Sequence, residues 1–354
     1  MTMTNLAIAE LLARSVEEVE EVKRRSFRRA SRGALAWPEE AASVLEQDRP
    51  LTELHAIGPR LALRIERWVE NPPALGDAIP EARSGFSTLS VGRSIIDGNP
   101  SWRSELRADL QMHSTYSDGT VAIEEMALAA RSLGHSYIAI TDHSEGLRVA
   151  GGMTPEQLAE QKREIDELRE RLSDAGIRLL HGIEMNLDED GEGDTGPKTL
   201  APLDLVLGSF HSKLRRTSDQ TPRYLAAVNN PLIDILGHPR GRMYDRRAGL
   251  HADWGRVFDR AASTGVAVEI DCNPNRQDLN AELAAKAAAA GCWVSIGTDA
   301  HSTYELTFID LGVATVLAAG VPRERVLNYM DAEELLEWSA KRKMSALDKY
   351  GKGS

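Results

Sequence analysis

Asp109-Leu110-Gln111-Met112-His113-Ser114-Thr115-Tyr116-Ser117-Asp118-Gly119 starts as an apolar run and ends in imidazole, hydroxyl and carboxylate. The same grammar recurs down the chain. Tyr137–Ile140 leads into Thr141-Asp142-His143, Arg178–Ile183 into Glu184, and Leu205–Phe210 into His211. Asp234–Leu236 leads into Gly237-His238-Pro239. Val266–Ile270 carries Glu269 and ends at Asp271, and Trp293–Ile296 leads into Gly297-Thr298-Asp299-Ala300-His301. Short apolar runs bounded by Gly, Asp and Ser read as strands buried on both faces. Between them lie stretches with helical spacing, such as Ile123–Leu133, Pro155–Leu172 and Ala281–Ala290. With the first run at Ala108–Met112, this alternation predicts an α/β fold, an irregular (β/α)7 barrel of parallel strands wrapped by helices.

In parallel barrels the active site lies at the C-terminal strand ends, so these polar side chains are expected to converge. Residues two apart on a strand share a face, which pairs Gln111 with His113 and Asp299 with His301. A lone histidine is ordinarily a core or surface residue. Five of the nine, His113, His143, His211, His238 and His301, sit at different strand ends and read together as metal ligands. Imidazole and carboxylate without thiolate suit Zn²⁺, Mn²⁺ or Fe²⁺ rather than a structural zinc finger. Cys272 and Cys292 are the only cysteines, so no disulfide framework is expected and both read as small apolar residues.

The region Arg107–Trp338 resembles a polymerase-and-histidinol-phosphatase (PHP) domain, specifically the one at the C-terminus of bacterial family X DNA polymerases. The resemblance is carried by Asp109–Gly119, Arg148-Val149-Ala150-Gly151-Gly152 and Ser295-Ile296-Gly297-Thr298-Asp299-Ala300-His301. It implies a metal-dependent phosphoesterase with up to three divalent ions. The first ion would be held by Gln111, His113, Glu184 and Asp299, and the second by Asp118, His143 and His301. The third would be held by His211 and His238, with Glu184 bridging. Gln111 stands where many members have histidine, and an amide oxygen is a poorer ligand. Catalysis is expected at His113, His143 and Asp299, with Arg148 and Arg276 on the phosphate; Lys213 and Arg240 are placed to help. Asp142 is read as orienting an imidazole, and Glu269 and Asn273 as polar lining. His181 falls on the opposite strand face and reads as structural, and His55, His135 and His251 have no supporting neighbours. An amidohydrolase would typically place lysine where His211 stands.

Residues 1–85 read as a small all-α domain, 86–105 as a linker and 106–345 as the metal domain. Leu6, Ile8, Leu11, Leu12, Val16 and Val19 have helical spacing. Leu51–Ala62 resembles a helix-hairpin-helix, with Ala56 where the motif carries Gly, and residues 6–70 resemble the small DNA-binding domain of the same polymerases. Such a hairpin either offers backbone N–H groups to a DNA phosphate or serves packing alone. Lys23–Arg32 is basic without an acid, a solvated face paired with the preceding glutamates or a contact for phosphate backbone. Frequent Gly, Pro and Ser from Pro72 to Pro100 suggest a loosely structured connection. No palm domain fits between hairpin and metal domain, which excludes polymerisation.

The net charge of −12 argues against broad coating of nucleic acid. No run approaches the roughly 20 apolar residues of a membrane span. The start, Met1-Thr2-Met3-Thr4-Asn5-Leu6, lacks the basic and apolar parts of a signal peptide, so a cytoplasmic protein is expected. Three functions follow: a 3′-5′ exonuclease or 3′-end phosphatase brought to DNA by the N-terminal part, a phosphatase of histidinol phosphate or a nucleotide, or a non-catalytic DNA-binding module stabilised by metal. No serine or cysteine nucleophile motif is present. The oligomeric state is not written in the sequence.

Overall fold

The apolar runs pair in chain order as a parallel sheet: β1 (Ala108–Asp109), β2 (Tyr137–Ile140), β3 (Arg178–Leu187), β4 (Leu205–Phe210), β5 (Ile235–Gly237), β6 (Ala267–Asp271) and β7 (Val294–Gly297). This arrangement comes from a computed structural model, which describes residues 3–76 and 78–350. Met1, Thr2 and the glycine-bearing end 351–354 lie outside the described residues. The strands curl into a nearly closed barrel. Met112 bridges Ala300 beyond the ends of β1 and β7, and the Asn328 side-chain amide donates to the carbonyls of Ala108 and Ile296 across that seam.

Helices preceding β1 are α1 (Asn5–Glu18), α2 (Glu21–Leu35), α3 (Ala41–Glu46), α4 (Pro59–Glu70), α5 (Leu89–Asp97) and α6 (Pro100–Ser104). Around the barrel run α7 (Ile123–Ser132), α8 (Pro155–Leu172), α9 (Pro197–Leu200), α10 (Thr221–Asn229), α11 (Trp254–Thr264), α12 (Ala281–Ala289), α13 (Ile309–Ala319) and α14 (Ala332–Tyr350). Their starts are coded locally. Thr154 and Gln157 form a reciprocal capping box at α8, with Pro155 in the first turn where its missing N–H costs nothing. None of the described helices is long and apolar enough to cross a membrane.

β3 departs from expectation. The apolar run stops before Glu184, but the strand continues to Leu187, leaving β2 after His181 and pairing with β4 from Gly182. Met185 and Leu187 are fully buried and carry the strand onward past the charged residue. Glu184 therefore lies mid-strand, near the barrel's centre, rather than at its end.

The N-terminal helices bury their own core of Ile8, Leu12, Leu35, Trp37, Leu51 and Ile65. Full burial of each such aliphatic side chain contributes roughly 1.5–3 kcal/mol. Arg83 joins this part to the barrel, bonding Glu10 at 2.8 Å and Asp245 at 2.8 Å. The connection after Pro72 is not loose throughout, as its composition suggested. Thr88 caps α5, whose Leu89, Gly92 and Ile96 make a buried stripe; a Cβ on Gly92 would stand 3.3 Å from Leu311 of α13. The glycine that made the segment look irregular is what lets α5 lie close to α13.

The hairpin turn before α4 places Ala56 at φ 67°, the left-handed region. An L-residue pays about 1–2 kcal/mol there that glycine avoids. Ala56→Gly is therefore expected to stabilise the chain by about 1 kcal/mol after the entropy glycine gains on unfolding. A thermal melt that falls on this substitution contradicts the turn geometry. The turn also packs inward: a Cβ on Gly33 of α2 would meet the His55 carbonyl at 3.0 Å, and Trp37 Nε1 donates to that carbonyl at 2.9 Å.

Candidate metal centre

Two turns fix the rim of the site. Ser114 N, Ser114 Oγ, Ser117 Oγ and Gln161 Nε2 all donate to Asp142, which holds the loop after β1 so that Asp118 faces the barrel mouth. Asp142 thus orients a loop and not an imidazole, because its lone pairs are already taken by hydroxyl, amide and backbone donors. In the next turn, a Cβ on Gly152 would lie 1.9 Å from the Ser144 carbonyl, so only glycine lets the Arg148–Gly152 segment fold against the strand carrying His143.

Glu184 is the hub. Its Oε1 lies 2.8 Å from His238 Nε2 and 3.3 Å from His211 Nε2. Its Oε2 lies 2.9 Å from His143 Nδ1 and 3.5 Å from His113 Nε2. His113 Nε2 is also 2.9 Å from Asp299 Oδ1. Asp118 Oδ1 stands 3.2 Å from His301 Nε2 and 3.5 Å from His143 Nε2. His113 stacks between His143 and His301, with ring centroids 4.4 Å away on each side.

Three donor groups emerge: His113, Glu184 and Asp299; Asp118, His113, His143 and His301; and His143, Glu184 and His211. They follow the expected sets but share more, since His113 reaches the second group and His143 the third. His238 joins through Glu184. Gln111 is buried beside Gly297, with both amide atoms lacking a hydrogen-bond partner. His143 Nδ1, His211 Nε2 and Glu184 Oε2 are likewise buried, close to one another but not aligned for a hydrogen bond. A buried unpaired polar atom costs about 1–3 kcal/mol. Converging lone pairs of nitrogen and oxygen are what divalent cations satisfy, so this donor set fits them.

The charges of the site follow from these close approaches. Burial opposes ionisation of Glu184, yet His143, His211 and His238 hold its carboxyl well below the usual range. Burial also opposes the charge on Asp299, and Arg276 overcomes it from 3.1 Å. His301 is pushed up to about 10 against its burial, by its bond to Asp118. Burial raises Glu269 well above the carboxylate norm, with Asp271 adding to it. Glu269 is more than lining, because its Oε2 accepts from the His238 backbone N–H at 2.7 Å and fixes that residue's strand end.

The cationic residues divide. Arg276 enters the site between Asp271 and Asp299. Arg148 and Lys213 are exposed and make no side-chain bond among the described residues. Arg240 Nη2 is engaged by the Ala248 carbonyl. Residues missed earlier include Asn186, whose Oδ1 is 3.1 Å from His211 Nδ1, and Glu305, whose Oε2 accepts from His301 N at 2.7 Å. Asn186 follows Glu184 by two on β3, so strand period could have found it. Asn273 lines a groove beside the site. Cys272 and Cys292 are buried and unbridged.

His181 and His135 lie outside the cluster, and His251 is exposed. Burial drives the His135 pKa down to about 3 from 6.5. The folded chain keeps this ring neutral while the unfolded chain protonates it, so stability falls as pH drops from 6.5 toward 3. His135→Leu is expected to flatten that decline in denaturant melts between pH 6.5 and pH 4; an unchanged slope contradicts it.

Clustered divalent-cation donors at the mouth of a (β/α)7 barrel define a metal-dependent hydrolase. The model of the PHP domain family matches residues 109–271. The DNA polymerase/3′-5′ exonuclease PolX of Bacillus subtilis is 39% identical over 264 residues, 74% of this chain and 45% of that protein. The chain thus spans less than half the length of that relative. A probable phosphatase of Shewanella loihica is 32% identical over 185 residues, covering 49% of this chain and 72% of that one. A solved histidinol phosphate phosphatase from Lactococcus lactis, complexed with zinc, L-histidinol and phosphate, overlaps at TM-score 0.44. It is 18% identical, covering 60% of this chain and 94% of that chain. The chain belongs to the PHP family of metal-dependent phosphoester hydrolases.

Proposed function

We propose that the chain hydrolyses phosphoesters at the 3′ end of a nucleic-acid strand, as a 3′-5′ exonuclease or 3′-end phosphatase. The observation that carries the chemistry is the convergence of five imidazoles on Glu184, Asp118 and Asp299. Support for the strand as substrate comes from the Bacillus subtilis relative, which is named a 3′-5′ exonuclease. In this reading residues 1–85 engage DNA, 86–105 connect, and 106–345 carry the hydrolytic site.

Gln111, His113, Glu184 and Asp299 would hold one ion, Asp118, His143 and His301 a second, and His211, His238 and Glu184 a third. Mn²⁺ and Zn²⁺ suit these donors, with Fe²⁺ next. When bound, such ions lower the pKa of water and neutralise phosphoryl charge. The chain's own residues do the rest. Arg276 directs a planar guanidinium toward Asp299, where a phosphoryl oxygen can accept from it. Asn186 fixes the His211 ring, and the Asp299 carbonyl faces His301 Nδ1 at 2.7 Å, leaving Nε2 toward the ions.

A second reading is a phosphatase of small monoesters, favoured by relatives described as probable phosphatases. Mn²⁺-dependent release of nucleotide from a 3′-labelled single strand, wild type against His143→Ala, separates the two. Stepwise shortening by wild type alone supports the 3′-end reading. Intact strands with brisk monoester hydrolysis support the second.

A further inference from the structure

Outside the metal cluster, positive charge concentrates on α2. Lys23–Arg32 carries Lys23, Arg24, Arg25, Arg28, Arg29 and Arg32 without an acid, in a chain of net charge −12. Phe27, Ala30, Ala34 and Leu35 turn inward to the N-terminal core. Arg25, Arg28, Arg29 and Arg32 follow at i, i+3, i+4 and i+7, so they form one stripe on the helix. That stripe does not face open solvent on all sides. Arg246, from the loop between β5 and β6, comes up opposite it, and the two elements enclose a groove of 570 Å³.

Like charges at helical spacing repel and weaken a helix, so a solvated face would gain from interspersed acids. Several other arginines of the N-terminal part have them: Arg14, Arg49, Arg83, Arg93 and Arg103 pair with carboxylates. Among the described residues none of Arg25, Arg28, Arg29, Arg32 and Arg246 does. Arg32 is half-buried, its Nε has no hydrogen-bond partner, and Arg246 and Arg28 press on it with like charge against the attraction of Asp245.

Two residues of the groove wall adjoin the metal cluster. They are Asn273, whose carbonyl accepts from the Arg276 N–H, and Glu305, which bonds the backbone of His301. The stripe from Arg25 to Arg32 spans about 10 Å along the helix. One phosphate seated at the metal cluster cannot also meet such a row. A chain of phosphates can.

We infer that Arg25, Arg28, Arg29, Arg32 and Arg246 grip the phosphodiester backbone of a nucleic-acid strand while its 3′ end lies at the metal cluster. This inference rests on the 3′-end reading above and adds to it a wall of the substrate cleft built by the N-terminal part.

The test compares full-length wild type, Arg28→Ser/Arg29→Ser and Arg28→Lys/Arg29→Lys with Mn²⁺ present. Both positions are exposed, and circular dichroism checks the fold. One substrate is a 3′-labelled single-stranded oligothymidylate and the other is bis(p-nitrophenyl) phosphate. The serine pair is expected to lower kcat/KM for the strand about tenfold more than for the small ester. Its salt dependence should become shallower by about 1.4 in log–log slope, two contacts at about 0.7 each. The lysine pair should retain most of the rate. Equal losses on both substrates, or an unaltered salt slope, overturn the inference. If wild type shortens the strand and the serine pair does so equally well, only this inference falls. If wild type neither shortens nor binds the strand while cleaving the small ester, the 3′-end reading falls with it.

Discussion

Glu184→Gln is expected to lower kcat/KM for every phosphoester substrate by on the order of 10³-fold, comparable to removing a central transition-state contact. Glutamine keeps the shape of the side chain and removes its charge. That charge is the one point shared by His113, His143, His211 and His238, at 2.8 to 3.5 Å from its two oxygens. Without it, two of the three donor groups lose their only common anion. The side chain is fully buried among these rings, so the neutral replacement leaves them without their counter-charge and lowers the melting temperature as well as the rate. Steady-state kinetics with excess Mn²⁺, together with a thermal melt, decide the matter. A rate within tenfold of wild type in a folded variant would contradict the role assigned to this residue.

Chelation is expected to produce the second large effect, on stability. An ion bound only by the folded state stabilises it by about 4 kcal/mol when present at 1,000 times its dissociation constant. For a domain of this size each kcal/mol moves the melting temperature by about 2–4 °C, so removal of metal should lower it by roughly 10 °C. The physical source is visible in the site. The Gln111 amide is buried without a partner, the Glu184, His143 and His211 donors converge without aligned hydrogen bonds, and Glu269, Asp271 and Asp299 crowd nearby. Melts recorded with EDTA and then with Mn²⁺ or Zn²⁺ restored check this. An identical curve in all conditions contradicts it.

Much of the barrel was readable because parallel strands covered on both faces leave nearly continuous apolar runs, and because polar residues at their ends have no packing role to explain them. The His, Asp and Glu residues that cluster stood out for the same reason. What could not be read depends on contacts between distant segments. The continuation of β3 past Glu184 is decided by burial of Met185 and Leu187 against other elements. Asp142 looked like a partner for an imidazole because it adjoins His143, yet Ser114, Ser117 and Gln161 claim it from elsewhere in the chain. Helix α5 was hidden by Gly92, whose purpose is a close approach to α13. Arg246 lies far in sequence from α2, and only the fold sets it across the groove from Arg32.

The most direct test of a metal-dependent phosphoester hydrolase is to titrate Mn²⁺ into the chelated full-length chain and follow hydrolysis of bis(p-nitrophenyl) phosphate. The rate should rise from near zero and level off only after more than one equivalent is taken up. Full activity in the chelated chain, or a rate indifferent to added metal, would contradict it.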